Sequence, residues 1–139
     1  MRKKDIIEIT EKPIVPEKII ARVKGEECGA MVTFTGKVRG KSEGKRVNYL
    51  EHGVRGEAPE KMLKDIVREI RKKWEIGEIA FSYRKGKIEA GGVTIVIAIA
   101  ATHRQEAFAA CLYAVDRLKQ KVVTREGRED GEVRVAKKG

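Results

Sequence analysis

The 139-residue sequence predicts an α+β fold, on three observations. Val93 to Ala101 is a nearly unbroken apolar run, the pattern of a strand buried on both faces. Two stretches, one opening at Pro59 and one after Thr102, repeat apolar residues at helical spacing. Strands and helices mix without strict alternation, and the short connections between strands call for antiparallel hairpins. At this length a single domain spanning 1–139 is expected, with no internal repeat or low-complexity segment.

The elements follow in order. Asp5 to Ile9 alternates weakly and reads as an edge strand, and Pro16 then introduces a short helix over about Glu17 to Lys24. Gly25 to Gly29 is a loop. Ala30 to Val38 is rich in Val, Thr and Phe and reads as a strand, with Met31, Thr33 and Thr35 facing one way and Val32 and Phe34 the other. Gly40 to Gly44 reads as a mobile basic loop, across which Val47 to His52 forms a partner strand. Pro59 opens an amphipathic helix with Leu63, Ile66, Val67, Ile70 and Trp74 on one face. Glu78 to Arg84 is a strand, Gly86 to Gly92 a loop, and the apolar strand follows. Thr102 stands at the next N-cap with Gln105 completing a capping-box pattern, which puts His103 and Arg104 in the first turn. That helix runs from His103 to about Lys121, with Phe108, Cys111, Leu112, Val115 and Leu118 as its apolar stripe. A turn over Glu126 to Gly131 leads to a last short strand near Val133 to Val135.

Composition narrows the function classes. No apolar run approaches the roughly 20 residues of a membrane-spanning helix, and Met1-Arg-Lys-Lys-Asp has no apolar segment behind it, so neither a membrane role nor a secretory signal is expected. Cys28 and Cys111 form no metal or redox spacing and fit a reducing cytoplasm as small packed side chains; no metal or cofactor is expected. The net charge of +10 has two readings. It suits an anionic partner or phosphorylated ligand, and it also suits a heat-adapted composition, with 37% charged residues and Asn48 as the single asparagine. Lys37, Arg39, Lys41, Lys45 and Arg46 are basic but lack interleaved aromatics for base stacking, so nucleic acid is not the expected partner.

Three basic constellations could carry chemistry. Lys37 and Arg39 leave a strand end between Gly36 and Gly40, where the backbone can approach a ligand and an arginine can grip an oxyanion with two donors. His103 and Arg104 sit at a helix start, where free N–H groups and the helix dipole favour an anion; they equally suit two solvated first-turn residues. Lys119 lies beside the apolar stripe of its helix, as a proton carrier or as a snorkelling lysine at a helix end. Arg104 and Lys119 are 15 residues apart on one helix, hence about 22 Å at 1.5 Å per residue. A small ligand touching both therefore needs two copies of the chain, related as in a two-fold dimer.

Gly29-Ala-Met-Val-Thr-Phe-Thr-Gly-Lys-Val-Arg39, Leu50-Glu-His52, Thr102-His-Arg104 and Leu118-Lys119, in this order and spacing, resemble the large, catalytic subunit of molybdopterin synthase. The resemblance implies an α/β hammerhead-type fold with an additional antiparallel β subdomain. It implies a central homodimer within a heterotetramer, each end carrying a small ubiquitin-like sulfur carrier. The carrier's C-terminal Gly-Gly thiocarboxylate would enter a pocket of the large subunit and pass sulfur to cyclic pyranopterin monophosphate, forming the molybdopterin dithiolene. Phe34 would then be a flat wall for the pterin, and Arg39, His103 and Arg104 would hold the phosphate. Lys119 would assist proton transfer or stabilise developing charge. The family's second lysine falls on Thr124 when the segments are aligned on Arg125-Glu126, because the chain is about two residues shorter here. Lys121 or Arg125 could supply the missing charge, although arginine stays protonated and cannot act as a base. Lys138 stands where the family has an arginine. The departure at Thr124 leaves a second expectation open, a catalytically weakened homologue that only binds the carrier's tail.

Overall fold

Val93–Ala101 forms a strand with eight of its nine residues buried, and the rest of the fold is arranged around it. In the computed structural model, which describes residues 1–136, the elements run β1 (Asp5–Thr10), α1 (Pro16–Ile20), β2 (Ala30–Lys37), β3 (Lys41–Ser42), β4 (Lys45–Val54), α2 (Pro59–Lys73), β5 (Ile79–Arg84), β6 (Gly86–Glu89), β7 (Val93–Ala101), α3 (Arg104–Lys121), β8 (Val122–Arg128) and β9 (Val133–Val135). The fold is α+β. One sheet has the order β1-β5-β7-β2, with only the β1–β5 pair parallel. The second is built on β4, which pairs with β3, β6 and β8, while β9 extends it beyond β8.

The alternation within β7 explains its two coverings. Ile95, Ile97 and Ile99 pack with Phe81 and Tyr83 of β5 under α2 and α3. Val96, Ala98 and Ala100 face the other way, with Ile14, Ile19 and Val23 around the short helix α1. Small side chains on that face let a five-residue helix and its flanking loops sit close to the sheet. Helix α2 contributes Met62, Leu63, Ile66, Val67 and Ile70, all buried, and each stabilises the core by about 1.5–3 kcal/mol. Arg71 ties the end of this helix down: its Nε donates to Asp5 at 2.9 Å and its two Nη atoms donate to the Ile76 and Gly77 carbonyls at 2.9 and 2.8 Å. Among the described residues no helix is long and apolar enough to cross a membrane.

Several local expectations are corrected. Helix α1 ends at Ile20 rather than Lys24, because Arg22 and Val23 donate to the Ile19 and Ile20 carbonyls, tightening the chain so that Val23 turns into the core. The basic segment 40–44 is no mobile loop but the tip of a β3–β4 hairpin. Glu43 and Gly44 both take positive φ, at 50° and 78°, the geometry of a two-residue turn whose twist matches its strands. Strand β4 does not pair with β2, whose partner is β7. A register shift between Gly36 and Lys37 ends that pairing and sends the chain into the second sheet. The expected loop 86–92 contains β6, held by pairing with β4 and by the buried Ile88. The segment Glu126–Arg128 belongs to β8 rather than to a turn.

Helix α3 also departs from its expected pattern. Its N-cap is His103, and no side chain caps it; the Thr102 hydroxyl donates instead to Met1 Sδ at 3.3 Å. The buried stripe is Ala107, Ala110, Cys111, Ala114 and Leu118, whereas Phe108 and Leu112 are 62% and 64% exposed. Alanines allow the helix to lie close on β2 and β7, and the larger side chains are left on its outer face.

Candidate functional site

Where the C-terminal end of α3 meets both sheets, the structure leaves a hollow of about 590 Å³, within the range of small-molecule sites. Three segments supply its cations. The end of β2 and the residues after it bring Lys37 and Arg39, the end of α3 brings Lys119 and Lys121, and Arg55 follows β4. The bulge at Gly36 matters for the first of these. A Cβ at Gly36 would stand 2.7 Å from Thr94 Oγ1, so only glycine lets β2 pass this close to β7 as it turns. The Arg55 N–H donates to the Lys121 carbonyl at 3.4 Å, which holds the segment after β4 beside the helix end.

The β4–β8 pair forms the floor. In its register Leu50 faces Glu126, His52 faces Thr124, and Val54 faces Val122. Alternation puts Leu50, His52, Val122, Thr124 and Glu126 on the hollow side. Glu51, Gly53 and Arg125 line only a second pocket, which His52 and Val123 share with the hollow. Phe34, Val115 and Leu118 add apolar wall. Cross-strand packing fixes the floor's shape, since a Cβ on Gly127 would run into the ring of Tyr49 directly opposite.

Charge in the hollow is strongly unbalanced. Among the described residues, five cationic side chains line it against one carboxylate, Glu126, which is buried and paired with Arg128 Nη2 at 3.3 Å. Lys119 and Lys121 are half-buried, and neither makes an ion pair within the described residues. Such a surface attracts anions. Among the described residues no group of three or more His, Cys, Asp or Glu is placed to hold a metal ion. Burial pushes the Cys111 thiol up to about 11 and also raises Cys28, which disfavours the reactive thiolate form of both.

Of the residues singled out in the sequence, Phe34, Arg39, Lys119 and Lys121 come together in this hollow. His103 and Arg104 do not line it; they are exposed at the opposite end of α3. Lys138 lies outside the described residues. Thr124 is in strand β8, which starts directly after the last residue of α3. Sequence reasoning had no role for His52, whose ring is buried between β5 and the hollow, or for Arg55, which reaches the hollow only through the β4–β8 pairing.

A profile of the MoaE protein family matches residues 9–121. The chain is 41% identical over 127 residues to the molybdopterin synthase catalytic subunit of Bacillus subtilis, covering 90% of this chain and 81% of that protein. It is 39% identical over 116 residues to the molybdopterin synthase catalytic subunit of Thermoplasma volcanium, covering 84% and 85% of the two chains. The crystal structure of molybdopterin synthase from Staphylococcus aureus superposes with a TM-score of 0.81 at 31% identity, over 94% of this chain and 96% of that one.

Proposed function

The chain belongs to the MoaE family, and from that premise we propose that it is the catalytic subunit of a molybdopterin synthase, transferring sulfur to cyclic pyranopterin monophosphate. The observation that carries this reading is the meeting of Phe34, Arg39, Lys119 and Lys121 around one hollow. The sulfur arrives on a small ubiquitin-like carrier as a C-terminal thiocarboxylate. Its sulfur attacks a carbon of the pterin side ring, and the new carbon–sulfur bond replaces a carbon–oxygen bond there, the oxygen leaving as water at one carbon and with the opened cyclic phosphate at the other. Water then cleaves the acyl–sulfur bond, leaving the carrier with an ordinary carboxylate. Two rounds supply the two sulfurs of the dithiolene.

Each residue has a part that its chemistry suits. Arg39 grips the phosphate with paired donors, and Phe34 gives the fused ring a flat apolar wall. The Lys119 ammonium stabilises negative charge on the attacked group and hands protons to it. Lys121 takes the place of the second lysine that the family carries where this chain has Thr124. No cysteine of the chain is needed, because the carrier brings the sulfur.

The site is completed by a second copy of the chain. Arg104 and Lys119 are about 22 Å apart along α3, so His103 and Arg104 can serve this phosphate only from a partner protomer. The outer face of α3 carries exposed Phe108 and Leu112 midway between those ends, an apolar surface suited to a two-fold contact. The test is direct: incubate the protein with thiocarboxylated carrier and cyclic pyranopterin monophosphate, and assay dithiolene. Product at a catalytic ratio is expected. Thr124 favours one other reading, a weakened homologue that binds the carrier's tail without turnover; tight carrier binding with no dithiolene would establish it.

A further inference from the structure

His52 has no part in the reaction just described, yet the fold holds its ring firmly at the hollow. It is 8% exposed and stacks on Tyr83 with centroids 4.5 Å apart and planes 23° from parallel. Its Nδ1 lies 2.7 Å from the Arg84 carbonyl oxygen. A carbonyl oxygen only accepts, so Nδ1 carries the hydrogen. The neutral ring then has its lone pair at Nε2. Burial disfavours the imidazolium, the hydrogen bond to Arg84 partly opposes it, and the positive charge of Lys119 adds to the burial, so the pKa lies below its ordinary value of 6.5 and the neutral ring is favoured at physiological pH.

His52 lines the hollow and also the second pocket beside Gly86 and Lys87. The register of β4 turns the side chain of His52 to the same side as Leu50, Thr124 and Glu126. Among the described residues, the enclosed side-chain polar atoms without a partner are Glu57 Oε1, Glu78 Oε2, Tyr83 OH and Arg128 Nε; His52 Nε2 is not one of them. No protein hydrogen bond occupies it either. Around it stand five cations that only donate; the other side-chain acceptors of the lining include the hydroxyls of Thr35, Thr94 and Thr124 and the carboxylate of Glu126, whose Oε1 takes Arg128. Among these acceptors His52 is the one whose plane is fixed, by a ring stack and a backbone hydrogen bond.

We propose that His52 is a substrate-recognition residue, its Nε2 accepting a hydrogen bond from a ring N–H of the fused heterocycle whose phosphate is held by the cations. This rests on the function proposed above and adds to it the group that reads the ring rather than the phosphate. The orientation set by Arg84 and Tyr83 makes the acceptor rigid, so the ring is fixed in its plane before sulfur arrives.

Two variants separate this role from a purely structural one. His52→Asn keeps a donor near the Nδ1 position and removes the Nε2 acceptor; His52→Gln keeps an acceptor near Nε2 and gives up the Nδ1 donor. Binding of cyclic pyranopterin monophosphate to the carrier-free protein is measured by calorimetry, and KM and kcat with thiocarboxylated carrier. The expected result is a Kd and KM about tenfold weaker for Asn, with kcat changed less than threefold and Gln near wild type. The reverse order, or an Asn variant that binds within twofold of wild type, overturns the proposal. Should either variant fail to fold, the wild-type protein labelled with 15N-histidine decides. Only His52 and His103 contribute signals, and the His52 Nε2 resonance must move toward the hydrogen-bonded range when the pterin is added. An unmoved resonance at saturation overturns the proposal. Wild-type protein that binds the pterin but forms no dithiolene removes the proposed reaction and leaves this recognition role standing.

Discussion

His52 of β4 and Thr124 of β8 are directly opposed residues of one antiparallel pair, and both line the hollow that Lys119 enters. Opposed side chains in such a pair stand about 5 Å apart. A lysine at position 124 would therefore bring its charge beside a buried neutral imidazole. In this chain β8 starts immediately after Lys121, with no linker between helix and strand. Lys121, the last residue of α3, lines the same hollow. In the proposed reading it is the helix that offers the cation which the resemblance places on the strand.

This exchange predicts a rescue. Lys121→Ala should lower kcat for dithiolene formation by about tenfold, the low end of what one positioned charge contributes. Adding Thr124→Lys to that variant should recover most of the loss. Single-turnover kinetics with thiocarboxylated carrier measure both steps. Equal rates for the wild type and Lys121→Ala would remove Lys121 from the site.

Lys119→Ala should reduce product formation by at least about a hundredfold. The side chain is half-buried and makes no ion pair among the described residues, so stability should change little. A Tm within about 2 °C of wild type is expected, together with unchanged carrier-free oligomeric state. Turnover near wild type would refute the role given to Lys119.

Much of the fold was legible because its strongest signals are local. Val93–Ala101 was bounded correctly by its apolar run alone, and Pro59 marked the first turn of α2. What the sequence hid is tertiary. The stripe of α3 reads most readily through Phe108 and Leu112, yet alanines face the sheet because contact distance, not side-chain size, decides which face lies against β2 and β7. Strand β6 has one buried residue, Ile88, and exists because β4 offers it an edge. The site shows the same division. Arg39 and Lys119 stood out by their places, at a strand end between glycines and beside a helix's apolar stripe, while His52 stands out only when Arg84, Tyr83 and the β4 register fix its ring.

The composite site predicts complementation between two defective proteins. Arg104→Ala and Lys119→Ala proteins should each be nearly inactive alone. After mixing and subunit exchange, half of the dimers are hybrids, and each hybrid has one intact pocket. Activity should return to about a quarter of the wild-type value. Exchange is verified by native mass spectrometry of differently tagged chains. Verified exchange without recovery would place all groups of one site in a single protomer.

The buried imidazole predicts a pH dependence of stability with a definite sign. Burial holds the His52 pKa below its ordinary value of 6.5, so between those two values the unfolded chain binds a proton that the folded chain does not. Stability therefore rises with pH in that window. His52's contribution is complete above about pH 6.5 and is lost as pH falls through the lowered folded value. The carboxylates held low by cationic partners, such as Glu69 beside Arg117 and Asp130 beside Lys45, act in the same direction but only as pH falls below about 4.5. Urea denaturation between pH 7 and 5 isolates the histidine from them. The wild type should lose stability over that interval, and His52→Gln, which has no proton to gain there, should give a flatter profile. A wild-type profile no steeper than that of the variant would mean that His52 is solvated or already charged in the folded protein.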